Sequence, residues 1–185
     1  MHNVKLKRII RLAVLLAVAA LALPSNPAGR ASADDHTPDL PSPLCDKSQV
    51  GQGNKVAFHV YARGVQIYRW NGASWVLVAP MAMLFADSNY QGQVGIHYAG
   101  PTWESNSGSK VMAARVDGCS PDPTAIPWLL LRATSTNGPG IFSSVTYIQR
   151  VNTSGGLAPT APGSSIDAAV EVPYTAEYYF YRAED

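Results

Sequence analysis

From Val56 the chain alternates apolar and polar positions, with Val56, Phe58, Val60 and Ala62 on one phase and Ala57, His59, Tyr61 and Arg63 on the other. A period of two sends successive side chains to opposite faces of a pleated strand, so residues 56–63 are expected to form a half-buried β-strand. Residues 65–70 and 74–79 continue in the same manner on either side of Asn71-Gly72, the strongest hairpin signal in the chain, where a primed turn is expected. Residues 81–86 are apolar throughout and fit a buried strand or a helical turn. Val94, Ile96 and Tyr98 alternate with Gly95, His97 and Ala99 until Gly100-Pro101 ends the run. Further strands are expected over 110–116, over 126–133, which is apolar on both faces, and over 141–151. Residues 168–172 and 174–182 close the pattern, with Pro173 marking a bulge or an edge. No window of about 12 residues keeps a helical apolar stripe. The expectation is an all-β, single antiparallel β-sandwich or barrel of about nine or ten strands, the two architectures remaining open.

Composition supports this reading. Of 185 residues 46% are hydrophobic and 15% charged, well under the roughly 25% charged of an average domain, and the 15 glycines and 14 prolines suit strands joined by turns. The length suits one domain with a substantial core. Its first 33 residues read differently. Lys5, Lys7 and Arg8 precede an apolar run that ends before Pro24, and a small-residue stretch closes on Ala31-Ser32-Ala33, the layout of a secretory signal peptide cut after Ala33. The uninterrupted apolar run from Leu12 to Leu23 is shorter than the about 20 residues that span a bilayer, so no membrane span is expected after cleavage. The chain then divides into a signal peptide (1–33), an extended arm (34–55) carrying Pro38, Pro41 and Pro43, and a β domain (56–185).

Cleavage would remove five of the 14 basic residues and leave nine against 13 acidic ones, a formal charge of −4. Such a domain has no electrostatic reason to seek nucleic acid or anionic lipid. A secreted, periplasmic or extracellular location would also place Cys45 and Cys119 in an oxidising compartment, where one disulfide is expected; two free buried thiols are the alternative. A mature terminus Asp34-Asp35-His36 would offer its amine, two backbone amides and the His36 imidazole as a nitrogen set for Cu(II) or Ni(II), conditional on that cut.

Several phrases are specific when taken together in order: Gly64-Val65-Gln66-Ile67-Tyr68-Arg69, Gly95-Ile96-His97-Tyr98-Ala99-Gly100-Pro101-Thr102-Trp103-Glu104, Ile126-Pro127-Trp128-Leu129-Leu130-Leu131, Tyr147-Ile148-Gln149-Arg150-Val151-Asn152-Thr153 with Gly155-Gly156, and Pro173-Tyr174-Thr175-Ala176-Glu177-Tyr178-Tyr179-Phe180-Tyr181. Over residues 55–182 the chain resembles the exported domain-of-unknown-function family 3455. That resemblance implies a shared fold and export and supplies no activity. It also implies that many members carry Cys at the place of Trp70 and again within 163–167, where this chain has none.

Candidate chemistry is sparse. Gly51-Gln52-Gly53 lacks the third glycine of a dinucleotide fingerprint, and no Gly-x-Ser-x-Gly elbow or His-Glu-x-x-His helix is present, so dehydrogenase, serine-hydrolase and zinc-protease readings have no motif. His97, between Gly95 and Ala99, is the best candidate for a cleft, with Trp103 as a stacking surface and Glu104 as the carboxylate that would orient the imidazole. The bland alternative is a structural histidine packed under the Gly100-Pro101 turn and bonded to a backbone carbonyl. Trp70, Trp75 and Trp103 fit either ligand stacking or core packing, whereas Trp128 is expected in the core. Asn152-Thr153-Ser154 is a formal glycosylation acceptor. The leading expectation is a non-catalytic binding or envelope interaction module for a saccharide, peptide or cell-envelope component. The alternative is a small secreted, hydrolase-like enzyme centred on His97, Trp103 and Glu104. A deep polar pocket at His97 would favour chemistry and a flat aromatic surface would favour binding.

Overall fold

The computed structural model of the protein describes residues 36–184, so the predicted signal peptide and the Asp34-Asp35 pair lie outside it. The described residues form eight strands: β1 (Asn54–Trp70), β2 (Trp75–Phe85), β3 (Gln93–Tyr98), β4 (Thr102–Ser105), β5 (Lys110–Cys119), β6 (Trp128–Asn137), β7 (Val145–Gly155) and β8 (Ala169–Ala183). Each pairs antiparallel with its sequence neighbours, and β8 returns to β1, so one sheet closes on itself as a barrel-like ring. Closure leaves no long free edge. One 3-10 turn, Asp46–Ser48, is the only helical element among the described residues.

The all-β expectation holds, and the count of nine or ten is corrected to eight for three identifiable reasons. Gly64 does not interrupt the first strand, because its missing Cβ is what lets Met81 and Ala82 of β2 approach its backbone. Pro80 sits inside β2, but β3 reaches only Ala82–Phe85, so the proline's missing N–H falls where that side of the strand has no partner. Pro173 lies beside Val65 of β1 at the end of the β7 ladder, where its carbonyl still accepts the Gly156 N–H at 2.9 Å. Three expected pairs of strands therefore fuse, while Thr102–Ser105 adds a strand too short to announce itself in the pattern. The Asn71-Gly72 hairpin exists as a longer loop. Only Gly72 takes positive φ there, and the Asn71 Oδ1 accepts the backbone N–H groups of Ala73 and Ser74 at 2.9 and 2.8 Å.

Inward positions graduate from apolar to polar along the barrel. At the end where β1 begins, Phe58, Phe142 and Phe180 stack against one another, with Phe142 delivered by the loop before β7. Val60, Ala62, Leu84, Val111 and Ile148 fill the middle. At the other end the inward phase of β1 carries Gln66 and Tyr68, and that end stays open. A sheet of eight strands encloses just enough room to be filled by side chains or to hold one small ligand. This one does both, at opposite ends.

A second apolar layer lies outside the ring. Val56, Val151, Tyr179 and Tyr181 form it, with Leu40, Val50, Tyr147 and Trp128 packed against them. Trp128 is thus half-buried under this outer layer instead of sitting in the inner core. The N-terminal segment is fastened there twice. Gln149 donates its side-chain amide to the Ser48 carbonyl at 2.6 Å while its oxygen accepts from the Tyr181 hydroxyl, and Cys45 is joined by a disulfide to Cys119, the last residue of β5. Coverage on both sides explains why residues 126–133 are apolar on both phases: Leu131 faces inward and Trp128 faces the outer layer.

Candidate ligand-binding site

The open end holds a cavity of about 360 Å³, at the small end of the range for ligand pockets. Strand ends facing the same way supply its walls: Gln66 and Tyr68 from β1, Leu77 and Pro80 from β2, His97 from β3, Trp103 from β4, Leu129 and Leu131 from β6, Arg150 from β7 and Tyr178 from β8. Ile126, Pro127 and Leu157 come from the loops at this end. Leu77 and Leu157 are exposed at the rim. The cavity is therefore an apolar sleeve with a few polar groups set deep in it.

Three aromatic rings pack together at its base. His97 lies flat on Trp103, with centroids 4.2 Å apart and planes 12° off parallel, and Tyr178 meets both edgewise at 5.4 and 5.5 Å. His97 is 3% exposed, and its Nδ1 lies 2.8 Å from the Thr102 carbonyl. A carbonyl only accepts, so Nδ1 carries the proton and Nε2 keeps its lone pair. Burial lowers the His97 pKa to about 3, with the Thr102 bond opposing and the Arg150 charge adding to the fall. The imidazole is neutral at physiological pH.

The hydrogen-bonding inventory is unbalanced. The buried Tyr178 hydroxyl is engaged by Tyr174, on the same face of β8, and by Arg150; the side-chain nitrogen of Gln66 and the indole N–H of Trp103 are buried and find no partner among the described residues, although their residues are only 2% and 1% exposed. Each such group costs about 1–3 kcal/mol if left unmet. Tyr68, by contrast, donates to the Gly156 carbonyl at 2.7 Å. Burial raises the pKa values of Tyr68, Tyr174 and Tyr178, with the Arg150 guanidinium pulling each of them back. Arg150 itself is held by the Pro127 carbonyl, which accepts from Nε at 3.1 Å and from Nη2 at 2.8 Å.

Of the residues that the sequence singled out, the structure brings His97 and Trp103 together and separates Glu104 from them. Adjacent residues on a strand face opposite ways, and Trp103 faces inward. Glu104 accepts from the Tyr98 hydroxyl at 2.8 Å on the outer surface and pairs with Lys110 at 3.1 Å; the Tyr98 bond, then the Lys110 bond, lower its pKa. It cannot orient His97. Trp70 is half-buried at the end of β1, edge-on to Trp75 at 5.5 Å, and forms no part of the cavity. Gly163 packs directly on the Trp70 ring. The Cu(II) or Ni(II) expectation concerns Asp34 and Asp35, outside the described residues; among the described residues no three potential metal ligands gather. His36 is exposed.

Gln66, Arg150 and Tyr178 went unnoticed in the sequence, yet a signal existed. Each is a polar side chain on the inward phase of its strand: Gln66 follows Phe58, Val60, Ala62 and Gly64, Arg150 follows Ile148, and Tyr178 lies between Ala176 and Phe180. Ending the first strand at Gly64 hid the first of them.

No curated protein and no solved structure matches the chain. The profile of the family described as protein of unknown function DUF3455 matches residues 51–182, which begin just before β1 and end within β8, and so take in the whole ring together with every residue that lines the cavity. With well over half of its 185 residues matched in this way, the chain belongs to the DUF3455 family.

Proposed function

We propose that the protein is an exported binding module that takes up a small, largely apolar molecule at the open end of its barrel. One observation carries the reading: two buried hydrogen-bonding groups without partners among the described residues, on Gln66 and Trp103, line one apolar cavity of about 360 Å³. Groups of that kind are satisfied in folded proteins by whatever occupies the space beside them. Export rests on the layout of residues 1–33 and is supported by the Cys45–Cys119 disulfide, since such bonds persist in oxidising compartments.

The chemistry of the cavity points away from catalysis. Its lining contains no carboxylate, and its histidine is neutral with a pKa of about 3, too weak a base for proton abstraction near neutrality. Its small volume also favours a small molecule over an extended saccharide or peptide. A screen of neutral and charged fragments against isotope-labelled protein tests the reading. Binders are expected to shift the signals of His97, Trp103 and Tyr178. A cavity that takes up no fragment of any class at millimolar concentration would refute it.

A further inference from the structure

The polar groups of the cavity can be sorted by sign, and the sorting identifies the chemistry of the ligand's head. Arg150 is half-buried at the cavity, and among the described residues no carboxylate lies within ion-pair distance of it. The Pro127 carbonyl fixes the guanidinium through two of its nitrogens but brings no charge. No Asp or Glu lines the cavity, and the second cation of the lining, Arg115, is exposed to solvent. Two further groups of the same lining can donate, the Gln66 amide and the Trp103 indole N–H, both without partners among the described residues, and the Tyr178 hydroxyl lies beside Arg150 itself. A half-buried cation that shares a cavity with two idle donors is complementary to one negative charge spread over two oxygens. The remaining walls, Leu129, Leu131, Ile126 and Pro127, have nothing to offer a polar tail.

Building on the binding reading above, we infer that the ligand is a small monocarboxylate with an apolar body, its head at Arg150 and its body along the leucine wall. The planar fork of arginine suits a carboxylate, and one cation balances one charge better than it balances a phosphate dianion. Removal of the head from water is then offset by charge-assisted hydrogen bonds from donors that are already in position.

Calorimetry on the purified protein with its disulfide formed tests this with matched pairs: sodium hexanoate against hexanamide, and sodium benzoate against benzamide. Each carboxylate is expected to bind at least about tenfold more tightly than its amide, a difference of about 1.4 kcal/mol. Arg150→Met should abolish the difference and Arg150→Lys should retain part of it. Because Arg150 also holds the Pro127 loop, the comparison of ligand pairs on the unaltered protein stands even if Arg150→Met fails to fold. Amides that bind as well as their acids would overturn the carboxylate assignment and leave the binding module intact. Carboxylate binding unchanged in Arg150→Met would remove Arg150 from the site. Inorganic phosphate or sulfate displacing hexanoate at equal concentration would overturn the requirement for an apolar body. If none of these acids binds while other, neutral fragments do, the inference fails alone; if nothing binds at all, it falls together with the binding reading.

Discussion

His97 shows how burial decides what a side chain can do. Stacked on Trp103 and bonded to the Thr102 carbonyl, it is a structural histidine, the bland alternative of the sequence reading, and it also forms part of the cavity wall. Its pKa, lowered to about 3 from an ordinary 6.5, is a statement about stability. Between those two values the unfolded chain binds a proton that the folded protein refuses, so the His97 contribution is fully present above pH 6.5 and is lost as pH falls toward 3. The limiting slope is about 1.4 kcal/mol per pH unit for one proton. Thermal unfolding followed from pH 7 to pH 4 should therefore fall less steeply in His97→Gln than in the parent, and parallel profiles would contradict the assignment. His97 and Trp103 were legible in the sequence because the pattern of small neighbours and aromatics drew attention to them. Glu104 was misplaced because adjacency in sequence was allowed to stand for adjacency in space, whereas a pleat sends neighbours to opposite faces. Gln66 and Arg150 were legible in principle, as polar residues on an inward phase, but only once strand continuity was known.

At the scale of the element, alternation located nearly every strand, and Gly and Pro misled about where strands end. Gly64, Pro80 and Pro173 read as punctuation. Each is accommodated inside a strand because of its neighbours across the sheet: a close approach at Gly64, a stretch beyond the reach of β3 at Pro80, and the end of the β7 ladder at Pro173. That information is tertiary, and a sequence period does not contain it. The N-terminal segment shows the opposite case. Its prolines and glycines mark irregular chain, and nothing in its pattern says that Leu40 and Val50 pack against the outer layer of Tyr179 and Tyr181. Its one readable anchor was the pair Cys45 and Cys119, which are 74 residues apart in sequence. Opening that loop by Cys45→Ser with Cys119→Ser should destabilise the protein by up to about 4.5 kcal/mol in the chain-entropy account, and should expose the segment to proteolysis ahead of the ring. Equal stability with and without the disulfide would show that the segment is held by its apolar contacts and the Gln149 bond alone.

The whole molecule is a closed sheet with unlike ends. Phenylalanines seal one end, and at the other the inward-facing positions turn polar around a small cavity. The long strands make the asymmetry possible, because β1 and β8 run from one end of the ring to the other and carry apolar residues at one end and polar ones at the other. Stability can thus reside in the sealed half while the open half carries groups that do nothing for the fold. Buried donors without partners work against folding, and their gathering on one cavity beside an unpaired guanidinium is what ties the architecture to a ligand. Indole N–H signals provide the most direct test, since the four tryptophans lie in distinct places: Trp103 in the cavity, Trp70 and Trp75 on the hairpin, and Trp128 under the outer layer. On titration with sodium hexanoate, the Trp103 indole N–H is predicted to shift first and furthest, together with the Gln66 side-chain amide and the Arg150 Nε–H. Shifts confined to Trp70 and Trp75, with Trp103 unmoved at saturation, would contradict the account.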